Sequence, residues 1–501
     1  MSPADATSQG GALLVLSILL PSAGIVASFA LGGRAAERIA LGSAPVALLI
    51  AVAVLAEVWR AGRPVVYPIA GLPPPLGIAL RADGISAVML VASALIIPAA
   101  GLYARPGFAT PAANGESRKA FTFWIMLQGI SAALAILFVS GDLFNLYVAL
   151  ELLTFAAVPL VCVEGNAETL AAALRYLMFA LLGSIFYLLG AALLYGSFGT
   201  LDIALLAERM RTLPAVTVAA ALMTAGLLAK TALFPLHLWL PPAHANAPPP
   251  ASAVLSGLVV KGSFVLTLRL WFDVLPALPA VGFDAILGGL GSAAVLFGSA
   301  LALRQARLKP LIAYSTVAQI GYLFLIFPLG SGSHAWTADG WNGGLMQVLA
   351  HAFAKAAMFL AAGLLYESLG HDRIAKLSGA ARKMPMTFLA LGLGGLSLMG
   401  LPPSGGFAAK WLLLRASVAS GQWVWSVVLI LGGLMAAGYV YRIIAPALAD
   451  APVATKAPPR RSGEAVALAL AVAAVALGFA PASFFEILDI GRPAFMTAAA
   501  P

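Results

Sequence analysis

Apolar runs of membrane-spanning length follow one another along almost the whole chain, and they restrict what it can fold into. A helix needs about 20 mostly apolar residues to cross a bilayer. About fourteen such windows are present, at 11–31, 39–58, 84–104, 121–140, 142–163, 170–196, 214–247, 249–271, 279–303, 310–330, 341–366, 385–420, 422–447 and 463–485. In lipid every backbone polar group must be satisfied within the protein, and helices do this segment by segment. The expected fold is therefore an all-α integral membrane protein. Short loops leave no room for a large soluble domain. The chain is 61% hydrophobic and 10% charged, whereas a soluble domain carries ~25% charged residues. Residues 59–83 differ: they are rich in Pro and Gly, with β-type residues at Pro64-Val65-Val66-Tyr67. A short hairpin and a plain loop fit that segment equally well.

Charge orients the spans. One set of loops carries Arg34, Arg38, Arg105, Arg118, Lys119, Arg304, Arg307, Lys309, Arg373, Lys376, Arg382, Lys383, Lys456, Arg460 and Arg461. The other holds Arg60, Arg63, Arg81, Arg209, Arg211 and Arg492. The first set is expected on the cytoplasmic side, and both termini of an even-numbered bundle then fall outside, in the periplasm. The +9 net charge reflects this asymmetry and not nucleic-acid binding. Ala-, Gly-, Pro- and Arg-rich usage suggests a bacterial inner membrane. The first apolar run lacks a basic n-region, so a cleaved signal peptide is not expected. The single Cys162 rules out an intrachain disulfide and any cysteine-based metal cluster, and reads as a small packing residue.

Four lysines, Lys230, Lys261, Lys355 and Lys410, interrupt these apolar stretches. An ammonium near the bilayer centre costs ~2.5–3.5 kcal/mol on insertion scales. Such groups face the bundle interior and mark ion or proton paths. Two of them lie beside breaks. Lys230 precedes Thr231-Ala232-Leu233-Phe234-Pro235 and the run from Pro241 to Pro250; Lys410 follows Leu401-Pro402-Pro403-Ser404-Gly405-Gly406-Phe407, 180 residues later. Proline removes a backbone donor and clashes with the preceding turn. A single kink is ordinary in membrane helices, but a kink with a lysine at matched places in two halves points to a transport site.

Glu151 reads as the one acid deep inside an apolar span. It either neutralises a lysine passively or tunes it: a carboxylate near a desolvated lysine favours the charged form, and its withdrawal releases the proton. Lys261 follows Ser256-Gly257, whose small side chains leave room for water. His351 and Lys355 lie one turn apart on one helix face. His351 is either a relay group or a helix–helix hydrogen bonder, and Lys355 a relay group or a prop for a broken helix. His237 and His244 flank the first break; their spacing does not suit a metal, and hydrogen bonds to freed carbonyls are the plainer role. His334 and His371 fall in loops. No nucleotide-binding, haem, iron–sulfur or nucleophile motif appears, so no cofactor and no redox chemistry is expected in this chain.

The segments Gly141–Tyr147 with Glu151, Lys230 with Phe234–Pro241, His244–Pro248 with Ser252–Gly257 and Lys261, Leu308–Thr316, and His351–Lys355 together resemble one family. It is the proton-conducting, antiporter-like subunits of Mrp cation/proton antiporters, respiratory complex I and membrane-bound hydrogenases. The likeness runs over about 85–450. It implies fourteen spans with inverted five-helix repeats at 121–271 and 279–447, flanked by 1–120 and 448–501, and a polar axis in the membrane plane. It also implies roles: Glu151 as carboxylate partner, Lys230 as central switch, Lys261 as bridge, His351 and Lys355 as continuation, and Lys410 as terminal lysine, with Tyr314 and Ser315 lining the second half. The resemblance also implies half-channels at the broken helices, where Pro235, Pro402 and Pro403 lie. Some relatives carry a histidine where this chain has Gln347, which points to water at that place. Lys410, where others have glutamate, tilts the likeness towards the D-type chains of Mrp antiporters or the N-type chains of complex I, and Gly141–Tyr147 towards the former.

The expected function is thus that of a proton-translocating subunit of a multisubunit Na+/H+ antiporter, working with other membrane subunits. The alternative is a proton-pumping subunit of an NADH:quinone oxidoreductase or membrane-bound hydrogenase, with redox chemistry on partners. A stand-alone transporter for an organic substrate is disfavoured, because no aromatic or arginine cluster suited to cradle one stands out.

Overall fold

The structure is a computed structural model, and it describes residue 8 and residues 10–109, 117–275 and 282–493. Helices α1 (Ala12–Leu31), α2 (Gly33–Gly42) and α3 (Ala44–Ala61) lead into a hairpin. There β1 (Val65–Pro68) pairs antiparallel with β2 (Ala79–Ala82), Val65 opposite Ala82 and Pro68 opposite Ala79. Of the two readings of 59–83, the chain adopts the hairpin. α4 (Gly84–Ala104) follows, then α5 (Arg118–Val139), α6 (Leu143–Val161), α7 (Ala167–Phe198), the short α8 (Ile203–Arg209) and α9 (Pro214–Thr231). After α10 (Leu240–Asn246) comes one long span built from α11 (Pro249–Val254), a π-turn at Leu255–Val259, α12 (Val260–Leu268) and a second π-turn at Arg269–Val274.

The second half holds α13 (Phe283–Arg304), α14 (Leu308–Leu323), α15 (Ile326–Gly330), α16 (Thr337–Leu369), the single turn α17 (Ala380–Lys383), α18 (Pro385–Met399), α19 (Gly405–Ala419) and α20 (Trp423–Leu448). α21 (Arg461–Ala476) and α22 (Ala482–Asp489) follow. The expected start of a span at 279 lies outside the described residues. Thirteen helices among the described residues are long and apolar enough to cross a membrane. The interrupted pair α18–α19, with 15 residues in each part, supplies the fourteenth crossing.

One boundary departs from the sequence reading. The last span, expected to reach 485, ends in a 3-10 turn at Leu477–Phe479. Pro481 then precedes a separate α22, because proline cannot donate the next helical hydrogen bond. The C-terminal segment folds back on the bundle: Trp341 Nε1 donates to Leu488 O at 3.0 Å and Gly84 N to Ile490 O at 2.9 Å.

Burial is uneven, and the unevenness locates the site. The apolar windows of Pro249–Val274 and of α16 are 100% buried, whereas that of α7 is 39% buried. Two spans are thus encased in protein, while others such as α7 and α20 present leucines and valines outward, as helices facing lipid do. Lys261, His351 and Lys355 sit on the two encased spans. Close approach of backbones fixes their neighbours. A Cβ on Gly226 of α9 would lie 2.2 Å from Gly183 O of α7, and one on Gly183 2.6 Å from Gly226 O. Only glycine permits that contact, and it seats Lys230, one turn further along α9, against α6.

Two ionic features escaped the sequence reading. Arg269, on the second π-turn, is buried and grips Asp83 at the start of α4 with two nitrogens, at 2.6 and 2.8 Å; Asp273 lies at 2.9 Å. Glu151 is also not the only acid buried in an apolar span. Glu464, in the first turn of α21, is buried and accepts from Thr387 N at 3.2 Å and Thr387 Oγ1 at 2.7 Å. Glu464 caps the start of α18, which explains its presence without any transport role.

Candidate functional site

The first break is a left-handed stop. α9 ends at Ala232 with φ +58, and Leu233 N returns to Leu228 O at 3.1 Å. α18 stops the same way at Gly400, φ +81, with Leu401 N on Leu396 O at 3.2 Å. This 6→1 closure satisfies carbonyls that the interrupted helix frees. Trp239 Nε1 takes Ala229 O at 2.8 Å. Lys309, which the sequence offered only as a loop charge, sits in the first turn of α14 and donates to Ala247 O at 2.5 Å, just past α10. Pro235, Pro402 and Pro403 lie exposed in the two connecting turns.

The two breaks are not used identically. Lys230 precedes its break and reaches across to α6, where Nζ lies 3.1 Å from Glu151 Oε1, 3.0 Å from Thr154 Oγ1 and 3.4 Å from Leu150 O. Ser184 of α7 donates to the same Glu151 oxygen. Lys410 follows its break and turns back: Nζ donates to Leu398 O at 2.7 Å and Met399 O at 3.2 Å, the last carbonyls of α18, and lies 4.3 Å from the Tyr322 ring centroid. Carbonyls at a helix C-terminus carry partial negative charge, and an aromatic face also attracts a cation. Gly400 is favoured here by its φ of +81, and a Cβ would also meet Lys410 Cδ at 2.6 Å.

Between these ends the polar groups form a broken row. Thr231 Oγ1 lies 2.9 Å from Ser263 Oγ on α12. Lys261, fully buried, donates to Ser256 O within the first π-turn, where the wider turn leaves that carbonyl open. Ser256 Oγ pairs with Thr316 Oγ1 at 2.9 Å, and Thr316 Oγ1 reaches Ile312 O at 3.1 Å. Lys355 Nζ takes the same Ile312 O at 2.8 Å and also donates to Ser315 Oγ. Lys355 therefore touches the continuous helix α14 and not a broken one, against the prop reading. Ser315 faces the row through Lys355, and Tyr314 is half-buried against the apolar core. His351 lies one turn before Lys355 with both ring nitrogens buried and without a hydrogen-bond partner. Gln347, one turn earlier, donates to Gln319 Oε1 at 2.9 Å. Gln319 was not singled out in the sequence, and Ser256 and Thr316 stood there only as a small neighbour of Lys261 and the end of a motif, because neutral polar residues carry no mark of function there.

His244 is fully buried, with both ring nitrogens unpartnered and its ring edge-on to Phe359 at 5.8 Å. It does not bond the freed carbonyls, which Trp239 and Lys309 take. His237 stacks beside Phe234 at 5.6 Å, with Nδ1 unpartnered. Among the described residues, no group of three or more His, Cys, Asp or Glu could hold a metal. Lys230 is the one lysine of the row with an ion pair among those residues; Lys261, Lys355 and Lys410 lie near hydroxyls and carbonyls.

A chain with basic groups strung between two interrupted helices can be compared with known proteins on residues and on fold. The family described as NADH:quinone oxidoreductase/Mrp antiporter, TM, matches residues 140–436. The chain belongs to this family. Among curated relatives, NADH-quinone oxidoreductase subunit N of Desulforudis audaxviator is 37% identical over 396 residues, 78% of this chain and 76% of its own. The D-type chain of the Na(+)/H(+) antiporter of Alkalihalophilus pseudofirmus is 28% identical over 433 residues, 84% of each chain. Among solved structures, a chain of the Mrp complex from Dietzia sp. DQ12-45-1b superposes with TM-score 0.87 at 26% identity, covering 97% of this chain and 98% of that one. A family whose description spans both oxidoreductases and antiporters fits a site built of charge-bearing side chains.

Proposed function

We propose that this chain is a proton-translocating membrane subunit, and that protons pass along Glu151, Lys230, Lys261, Lys355, His351 and Lys410. The observation that carries this reading is the placement of Lys261, His351 and Lys355 on the two fully encased spans, between the Glu151–Lys230 pair and Lys410. Buried ionisable groups in a membrane are costly and face polar paths; here the two outer lysines, Lys230 and Lys410, lie beside the two helix breaks. The plane-parallel axis belongs to two inverted five-helix units at 121–271 and 279–447, with 1–120 and 448–501 flanking them. The richly basic end of the bundle faces the cytoplasm, and both chain termini lie in the periplasm.

Mrp-type Na+/H+ exchange is the favoured setting. Its support is near-complete coverage of the Mrp chain at TM-score 0.87. Moving one charge through 100 mV is worth ~2.3 kcal/mol, so proton entry here can drive cation export by partner membrane subunits. The redox-driven setting has its own support in the 37% identity to an oxidoreductase chain of the N type. Partners decide between them. The tagged chain, purified in mild detergent from its own host, is expected to bring down only membrane subunits, and added Na+ is expected to collapse ΔpH in everted vesicles. Flavin or iron–sulfur subunits in the purified complex would favour the oxidoreductase instead.

A further inference from the structure

Lys410 is the one lysine at an end of the row that lacks a carboxylate among the described residues, and its place is set by Leu398 O. That carbonyl is shared. Gln319 Nε2 of α14 approaches it at 3.1 Å, while Lys410 Nζ lies at 2.7 Å. A carbonyl oxygen has two lone pairs, and both are used. Gln319 Nε2 also lies 3.4 Å from Tyr439 Oη, and Gln319 Oε1 accepts from Gln347 Nε2 at 2.9 Å. Gln347 Oε1 is buried without a partner. Gln347 stands one turn before His351 on the same face of α16.

Chemistry fixes the direction of this row. Leu398 O accepts only, so Gln319 must turn its NH2 towards it. Gln319 then offers its oxygen to Gln347, which must answer with its own NH2 and leaves its oxygen without a partner, one turn before His351. Amide orientations are assigned in this way, from the network. Neither amide exchanges protons as a lysine or histidine does. What they transmit is orientation: an ammonium on Leu398 O polarises the carbonyl, and linked hydrogen bonds strengthen one another.

We propose that Gln319 and Gln347 are positioning residues that hold Leu398 O for Lys410 and couple that resting place to the His351 end of the row. This rests on the proton-translocation reading above. It assigns function to two neutral residues, and to the stretch where the lysines and histidine alone leave the row open.

The test is a double-mutant cycle in the whole complex, with proton flux read in everted vesicles and the assembled complex quantified on native gels. Q319L and Q347L are each expected to lower flux about tenfold, the upper end of the effect of losing one neutral hydrogen bond, with assembly unchanged. Because the two act through each other, the double variant should lose no more than either single one; losses that multiply would overturn the coupling. Q347H keeps an N–H donor for Gln319 Oε1 and should recover most of the flux lost in Q347L. Flux equal to wild type in both single variants would overturn the proposal. Lys230→Ala, run alongside, separates the two claims: if it stops flux while the glutamine variants leave flux intact, only the positioning role falls, and if it too leaves flux intact, proton translocation through this row falls.

Discussion

Lys230→Ala and Glu151→Ala should each abolish proton flux in everted vesicles while the complex still assembles. The pair is 3.1 Å apart on different helices, which at an effective dielectric of 20 corresponds to a coupling of roughly 5 kcal/mol. That attraction is what makes Lys230 a switch: while the carboxylate is near, the amine keeps its proton, and when it withdraws the proton becomes transferable. Removing either partner fixes Lys230 or Glu151 in one state. Assembly should survive because neither group is stranded. Without Lys230, Glu151 still accepts from Ser184 and keeps 15% side-chain exposure. Without Glu151, Lys230 still has Thr154 Oγ1 and Leu150 O. Normal flux in either variant would remove the switch.

Arg269→Leu should have the largest effect on the fold. Arg269 holds Asp83 with two nitrogens and Asp273 with one, and Asp83 also caps α4 by accepting from Ser86 N at 3.1 Å. Deleting the guanidinium strands the buried Asp83 carboxylate, a loss on the order of 3–5 kcal/mol for a broken buried pair. Little assembled complex should remain on native gels; wild-type amounts would contradict the assignment. The same cluster predicts acid sensitivity. Burial alone would raise the Asp83 carboxyl, but the Arg269 charge and hydrogen bonds outweigh it and bring it down to about 2 from 3.8. For a depressed carboxyl the stabilisation is complete above its unfolded value and is lost as pH falls through the folded one. The wild-type complex should therefore keep this contribution down to about pH 4 and lose it towards pH 2, read as a falling melting temperature. Asp83→Asn should flatten that part of the profile.

What the sequence made legible follows from how strongly each feature violates composition. A lysine in a greasy run is a large energetic exception, so Lys230, Lys261, Lys355 and Lys410 stood out, and proline runs marked both breaks. The number of crossings was legible because hydropathy is local. Partnerships between distant residues were not. Arg269 and Asp83 meet across 186 residues, and Arg269 looks from sequence like a charge at the edge of a span. Gln319, Ser256 and Thr316 are ordinary residues until α14 is packed beside the first π-turn and α18. The sequence also suggested equivalent lysines at equivalent breaks, whereas Lys230 reaches a neighbouring helix and Lys410, on α19, turns back across its break onto the last carbonyls of α18. That difference depends on which side of the break each lysine lies, and so on where the left-handed residues Ala232 and Gly400 fall.

Lys355→Met provides the most direct test of a single path along the membrane plane. Lys355 makes no contact with Glu151 or Lys230 and belongs to the other half of the bundle. One continuous path requires that its loss stop proton flux as completely as Lys230→Ala, in a complex that assembles normally, because methionine keeps the buried stem and removes only the proton-carrying amine. Substantial flux in assembled Lys355→Met complex, alongside none in Lys230→Ala, would mean that protons cross without traversing the row, and would contradict it.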